Sequence, residues 1–146
     1  MEQISQPVMT DHDKATQYLR DMASKLVELD GSDLFITAGS PPAFKVNQEV
    51  HRIGDQKLLP HQTDLLVRSI MNDRQVREFD RQHEFNFSLH FPNLARFRVS
   101  AFTQRGSAGM VLRLIKQRIP TIEELNLPLS LKDIVMHKRG LVIFLG

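Results

Sequence analysis

Two stretches of alternating side chains, divided by a Pro-Asn pair, restrict this chain more than anything else in it. Phe85, Phe87, Leu89 and Phe91 fall on one side of the first, and Glu84, Asn86, Ser88 and His90 on the other. After Pro92 and Asn93 the pattern returns in "LARFRVSAF", with Ala95, Phe97, Val99 and Ala101 inward and Arg96, Arg98 and Ser100 outward. A period of two is that of a half-buried strand, and two such runs across a short turn make an antiparallel pair with one apolar face. That face has to be covered, so the rest of the chain must supply helices.

The remaining sequence does so. Thr10 is placed to cap a first helix, with Asp13 in the capping-box position. Ala15, Tyr18, Leu19, Met22, Leu26 and Leu29 then follow at helical spacing, and Gly31 is expected to end the helix. "DLFITAG" reads as a strand and "PPAFKVNQEVHRI" as a hairpin, with Gln48 standing where its turn would favour glycine. Pro60 opens a second helix, and Asn72 with Gln75 boxes a third, "DRQVREF". A loop "TQRGSAG" leads to a strand "MVLRLI". Residues 1–117 thus form an α+β domain, an antiparallel sheet with flanking helices.

Residues 118–128 look like a connector, interrupted by Pro120 and Pro128. Residues 129–146 open another unit. "LSLKDIVMH" is expected to be a short amphipathic helix with Leu131, Ile134 and Val135 inward. Leu141 to Leu145 form an unbroken apolar run between Gly140 and Gly146, the mark of a strand buried on both faces. Such a strand needs neighbours and covering helices, and the chain stops there; the expectation is of a sequence cut short.

Composition removes several classes of function. There is no Cys, hence no disulfide framework and no thiolate metal site. No apolar run approaches the roughly 20 residues of a membrane span. "MEQISQPVMTDHDK" lacks the basic and apolar regions of a signal peptide, so a cytoplasmic protein is expected. The six histidines (12, 51, 61, 83, 90 and 137) form no helical ligand pair, so no metal site is expected. Glu123-Glu124 sits in the connector, where it favours a helix start. Ser32, Ser40, Ser100 and Ser107 lack the context of a nucleophile elbow. No complete active site is visible, and no catalytic residue is assigned.

Charge is unevenly spread. Residues 1–90 hold ten Lys/Arg against fourteen Asp/Glu, net −4; residues 91–146 hold nine against three, net +6. Within the basic part, Arg96 and Arg98 share a strand face, and Arg113 falls beside them if the next strand pairs antiparallel. Guanidinium forks match phosphate oxygens and stay charged when buried, so three on one face suit a polyphosphate. Outward arginines are also ordinary occupants of an antiparallel sheet, and spacing alone leaves both readings open.

Four blocks in order, "GSDLFITAGSPPAFKVNQEVHRI", "ARFRVSAF", "GMVLRLIKQRIPTIEELNLP" and "KRGLVIFLG", resemble the N-terminal part of the PilT/PilU family, with wording nearer its PilU branch. These are retraction ATPases of type IV pili, within the type II/IV secretion ATPases. The resemblance covers about residues 14–146. It implies a PAS-like N-terminal domain, the interdomain connector, and the first strand of a truncated RecA-like motor. Gly146 would be the first glycine of the Walker A loop, whose lysine and Ser/Thr lie beyond it, so the chain as given would not hydrolyse ATP. The resemblance assigns Arg98 and Arg113 to nucleotide phosphates, with Arg96 as a third candidate. The implied function is a regulatory and assembly domain in a homohexameric motor for pilus retraction and twitching motility. ATP and Mg²⁺ are then cofactors of the full-length protein and not of the isolated domain. The implied partners are its own motor domain, neighbouring subunits, the pilus machinery at the inner membrane, where the protein would sit peripherally, and a paralogous PilT-type motor. Gln48 and Lys45 depart from the family's usual Gly and Arg. The alternatives are a free-standing PAS-like ligand- or partner-binding module, and a nucleic-acid-binding domain. The last lacks an aromatic platform, because Phe97 is expected to face inward, so no nucleic acid is expected.

Overall fold

The computed structural model describes residues 11–116 and 118–145. Thr10 and Gly146, named above as a helix cap and as a loop glycine, lie outside the described residues. The chain forms two compact units that divide between Ile115 and Lys116.

In the first unit, α1 spans His12–Glu28. Its N-cap is Asp11, whose carboxylate accepts the Lys14 N–H at 2.9 Å, in place of the predicted threonine cap. An acidic cap also faces the positive end of the helix dipole. The C-terminus corrects a second expectation. Asp30, not Gly31, takes the left-handed conformation (φ 49°). The Gly31 N–H donates to Leu26 O at 2.9 Å and the Asp30 N–H to Val27 O at 3.1 Å, the paired bonds of a Schellman stop. Gly31 is needed for space: a Cβ there would lie 2.4 Å from Leu26 Cδ1 and 3.1 Å from Lys45 O. Leu29, predicted on the apolar face, is exposed, because the chain has already left the helix at that cap.

The strands are β1 (Asp33–Ile36), β2 (Ala43–Val46), β3 (Glu49–Arg52), β4 (Glu84–Phe91), β5 (Ala95–Gln104) and β6 (Ser107–Ile115). They form one antiparallel sheet in the order β3-β2-β1-β6-β5-β4. Asn47 and Gln48 close the β2–β3 hairpin, both at positive φ (49° and 68°). Gln48 therefore adopts the conformation that glycine would adopt without strain. Arg105 and Gly106 (φ 51° and 76°) close β5–β6, so the predicted loop is a two-residue turn between paired Gln104 and Ser107.

Between the two halves of the sheet run α2 (Pro60–Ser69) and α3 (Asp73–Gln82). Pro60 occupies the first turn of α2, where its missing N–H costs nothing. Asn72 and Gln75 form the predicted box on α3, with bonds of 3.0 and 2.9 Å. That helix runs past the predicted Phe79 and stops at His83, in the left-handed region. All three helices cover one face of the sheet. Phe97, Val99, Met110, Leu112, Leu34 and Ile36 are fully buried beneath Leu19, Met22 and Leu26 of α1 and Leu66 and Val67 of α2. The other face is left open.

The second unit contains α4 (Ser130–Val135). Before it, Thr121 and Glu124 cap a single turn reciprocally, at 2.9 and 3.3 Å. The predicted inward face is not realised: Val135 is exposed and α4 buries no residue. Leu141 to Leu145 are also exposed and form no strand. A strand needs a neighbour for its N–H and C=O groups, and among the described residues this run has none.

Candidate functional site

The register of the sheet decides which side chains meet on the open face. One rung crosses all six strands: Val50, Lys45, Asp33, Arg113, Arg98, Ser88. Arg98 lies between fully buried Phe97 and Val99, so strand alternation turns it outward. Arg113 follows buried Leu112 and points to the same side. The two arginines are direct cross-strand partners, on strands about 4.8 Å apart. Arg96 stands one pleat along β5, between Ile115 and His90. All three predicted arginines share one face, and two are adjacent.

Their neighbour Asp33 was not identified from sequence. It is 3% exposed, unusual for a carboxylate outside the core. Its Oδ1 accepts the Arg113 Nε–H at 2.8 Å, and its Oδ2 accepts the Ser32 hydroxyl at 2.7 Å. Burial pushes its pKa upward, but the Ser32 hydrogen bond and Arg113, with Lys45 adding its charge, outweigh this and hold it below the usual carboxylate value. Asp33 engages Arg113 through Nε alone, which leaves the terminal amino groups of a 69%-exposed side chain free for another acceptor. The signal for Asp33 was present in "GSDLF", since an inward Leu34 implies an outward Asp33. Its partner depends on the β1–β6 register, which no local pattern encodes.

Like charges directly opposite one another on a sheet repel. Asp33 offsets one of the arginine pair; Arg98 and Arg96 have no ion pair among the described residues. The rung therefore presents a net positive, donor-rich surface, suited to an anion with several oxygens. Among the described residues no three His, Asp or Glu side chains gather as a metal site.

No family model matches the chain. It is 53% identical over 121 residues to the type IV pilus ATPase PilU of Pseudomonas aeruginosa, an alignment covering 83% of this chain and 32% of that protein. It is 41% identical over 115 residues to the type IV pilus retraction ATPase PilT of the same organism, covering 79% and 33%. A crystal structure of the pilus retraction motor PilT with bound ADP superposes with a TM-score of 0.68 at 26% identity, covering 82% of this chain and 35% of that one. The chain thus spans about a third of the length of the curated relatives it matches. The α+β fold expected from the alternating strands is the fold found, and the sequence stands nearer to PilU than to PilT. The chain belongs to the PilT/PilU family of secretion ATPases, as an N-terminal domain.

Proposed function

We propose that this chain is the regulatory and assembly domain of a hexameric ATPase that drives type IV pilus retraction, and that Arg98 and Arg113 contact the phosphates of a nucleotide held by a motor domain. The observation that carries this reading is the side-by-side placement of the two arginines on an uncovered sheet face. The homology to a pilus ATPase and to a retraction motor whose structure holds ADP supports it.

The residues present fit a polyphosphate. Asp33 holds the Arg113 guanidinium through Nε and leaves its terminal donors unused, on the same sheet face as the cross-strand Arg98. Preset donors stabilise charge as it develops on phosphoryl oxygens, and an arginine acting in this way is worth about 10³–10⁵ in rate. The residues do not fit Mg²⁺, because the one carboxylate on the rung is occupied by Arg113 and Ser32. Any metal would be held by the nucleotide and the motor.

In this reading residues 1–117 are the PAS-like domain, residues 118–128 link it to the motor, and residues 129–146 begin the motor, with Gly146 at its phosphate loop. Arg96 lies close enough along β5 to widen the positive field. Neighbouring subunits, the pilus machinery and a paralogous motor are the partners. A peripheral position at the inner membrane belongs to the same reading; among the described residues no helix is long and apolar enough to cross a membrane.

ATPase assays on the full-length protein test this. Arg98→Ala should lower turnover by about 10²-fold or more with the melting temperature little changed. Arg113→Ala should lower turnover as much while also lowering the melting temperature, because it leaves the buried Asp33 carboxylate without its ion pair. Wild-type turnover in both variants would remove the arginines from the site.

A further inference from the structure

β4 is the outermost strand of the sheet, and its free edge has a defined phase. The Thr103 N–H donates to His83 O at 2.8 Å, so these two form a hydrogen-bonded pair. By alternation the pairs Phe85–Ala101, Phe87–Val99 and Leu89–Phe97 also exchange bonds. The N–H and C=O groups of Glu84, Asn86, Ser88 and His90 therefore point away from β5, off the side of the sheet.

This edge has few of the guards that keep strands apart. It runs for eight residues without proline, lysine or a left-handed residue. The opposite edge, β3, is half as long, four residues, and ends in Arg52. On the helix-covered face of β4, Phe85, Phe87 and Leu89 are only half-buried, whereas Phe97, Val99 and Ala101 beside them on β5 are closed off. The apolar stripe extends beyond its cover.

The strand is complementary to itself. Turned about a two-fold axis at Phe87, it sets Phe87 against Phe87, Phe85 against Leu89, Asn86 against Ser88 and Glu84 against His90. The even-numbered residues, whose polar groups point outward, become the hydrogen-bonded pairs, and the apolar residues become the closer, non-bonded pairs. At each end Glu84 meets His90 and, one strand further, Arg96, the cross-strand partner of His90. Centring the axis on Phe85 or Leu89 instead loses the Glu84–His90 match and shortens the overlap. We propose that β4 docks antiparallel on β4 of a second copy of this chain, joining two sheets into one. This contact is isologous and closes on itself, so it is independent of any head-to-tail ring contact and of the role given to Arg98 and Arg113.

The absence of cysteine makes the test direct. Phe87→Cys places two thiols across a non-bonded pair with Cα atoms about 4.5 Å apart, within disulfide reach. Under mild oxidation this variant should convert to covalent dimer, and Ser100→Cys, exposed on β5, should remain monomeric. In sedimentation experiments the unmodified chain should dimerise. Ser88→Pro, which removes an outward N–H, should raise the dimer Kd about thirtyfold with an unchanged circular dichroism spectrum. If that variant fails to fold, Glu84→Lys should weaken the dimer, and adding His90→Glu should restore it. A chain that stays monomeric near millimolar concentration, a Kd unmoved by both Ser88→Pro and Glu84→Lys, or equal cross-linking at positions 87 and 100 would overturn the proposal.

Discussion

Two apolar stretches of this chain meet opposite fates. Residues 85–101 alternate apolar with polar side chains, and their inner residues on β5 are sealed from solvent. Leu141 to Leu145 are apolar without interruption, and each is more than half exposed. Hydrophobic content alone does not explain the difference. The alternating stretch carries its own pairing partner across a three-residue turn, so its backbone groups are bonded before its side chains are covered. The unbroken run has no paired neighbour among the described residues, and burying it would strand its own N–H and C=O groups.

Substitutions can break this contrast or sharpen it. Phe97→Ala should have the largest effect, removing about 3–5 kcal/mol from unfolding stability in denaturant titrations. Asp33→Asn should come next, costing about 1–3 kcal/mol at neutral pH because Arg113 and Ser32 lose a charged acceptor. The pH dependence gives this a sign. The Asp33 pKa is depressed in the folded chain, so its contribution is complete above the ordinary carboxylate value and disappears as pH falls through the folded one. Stability measured from neutral to acid pH should therefore fall less steeply in the Asn variant. Gln48→Gly should raise stability by about 0.5–1 kcal/mol, since relief of a left-handed side chain exceeds the added freedom of the unfolded glycine. Ile143→Ser should change unfolding by less than about 0.5 kcal/mol, the mark of a side chain already in water. A large loss there would mean that the run is buried in solution and would erase the contrast.

Local patterns made most of the first unit legible. Alternation located β4 and β5 and turned Arg96 and Arg98 outward, and Pro60, Asn72 and Gln75 marked the helix starts. The misreadings arose where several residues compete for one backbone role. Thr10 and Asp11 are both good caps, and Asp30 and Gly31 both tolerate a helix stop. Val135 was placed inward by periodicity, but a six-residue helix has an inside only if something packs against it. Of the candidate site, the arginines were readable and their acidic neighbour was not. Asp33 lies 80 positions from Arg113, and a register set by tertiary pairing leaves no trace in either segment.

That separation has a consequence for how the molecule assembles. The sheet consists of two sets of hairpins, β1–β2–β3 and β4–β5–β6, each closed by short turns, and they join only where β1 meets β6. Each set can form after closing small loops, whereas the join must first confine the long intervening segment that carries α2 and α3. The β1–β6 seam should accordingly form late, as the slow step of folding. The Asp33–Arg113 ion pair lies on that seam, so the arginine pair, already side by side within β5–β6, gains its acidic neighbour only when the two halves of the sheet have closed together.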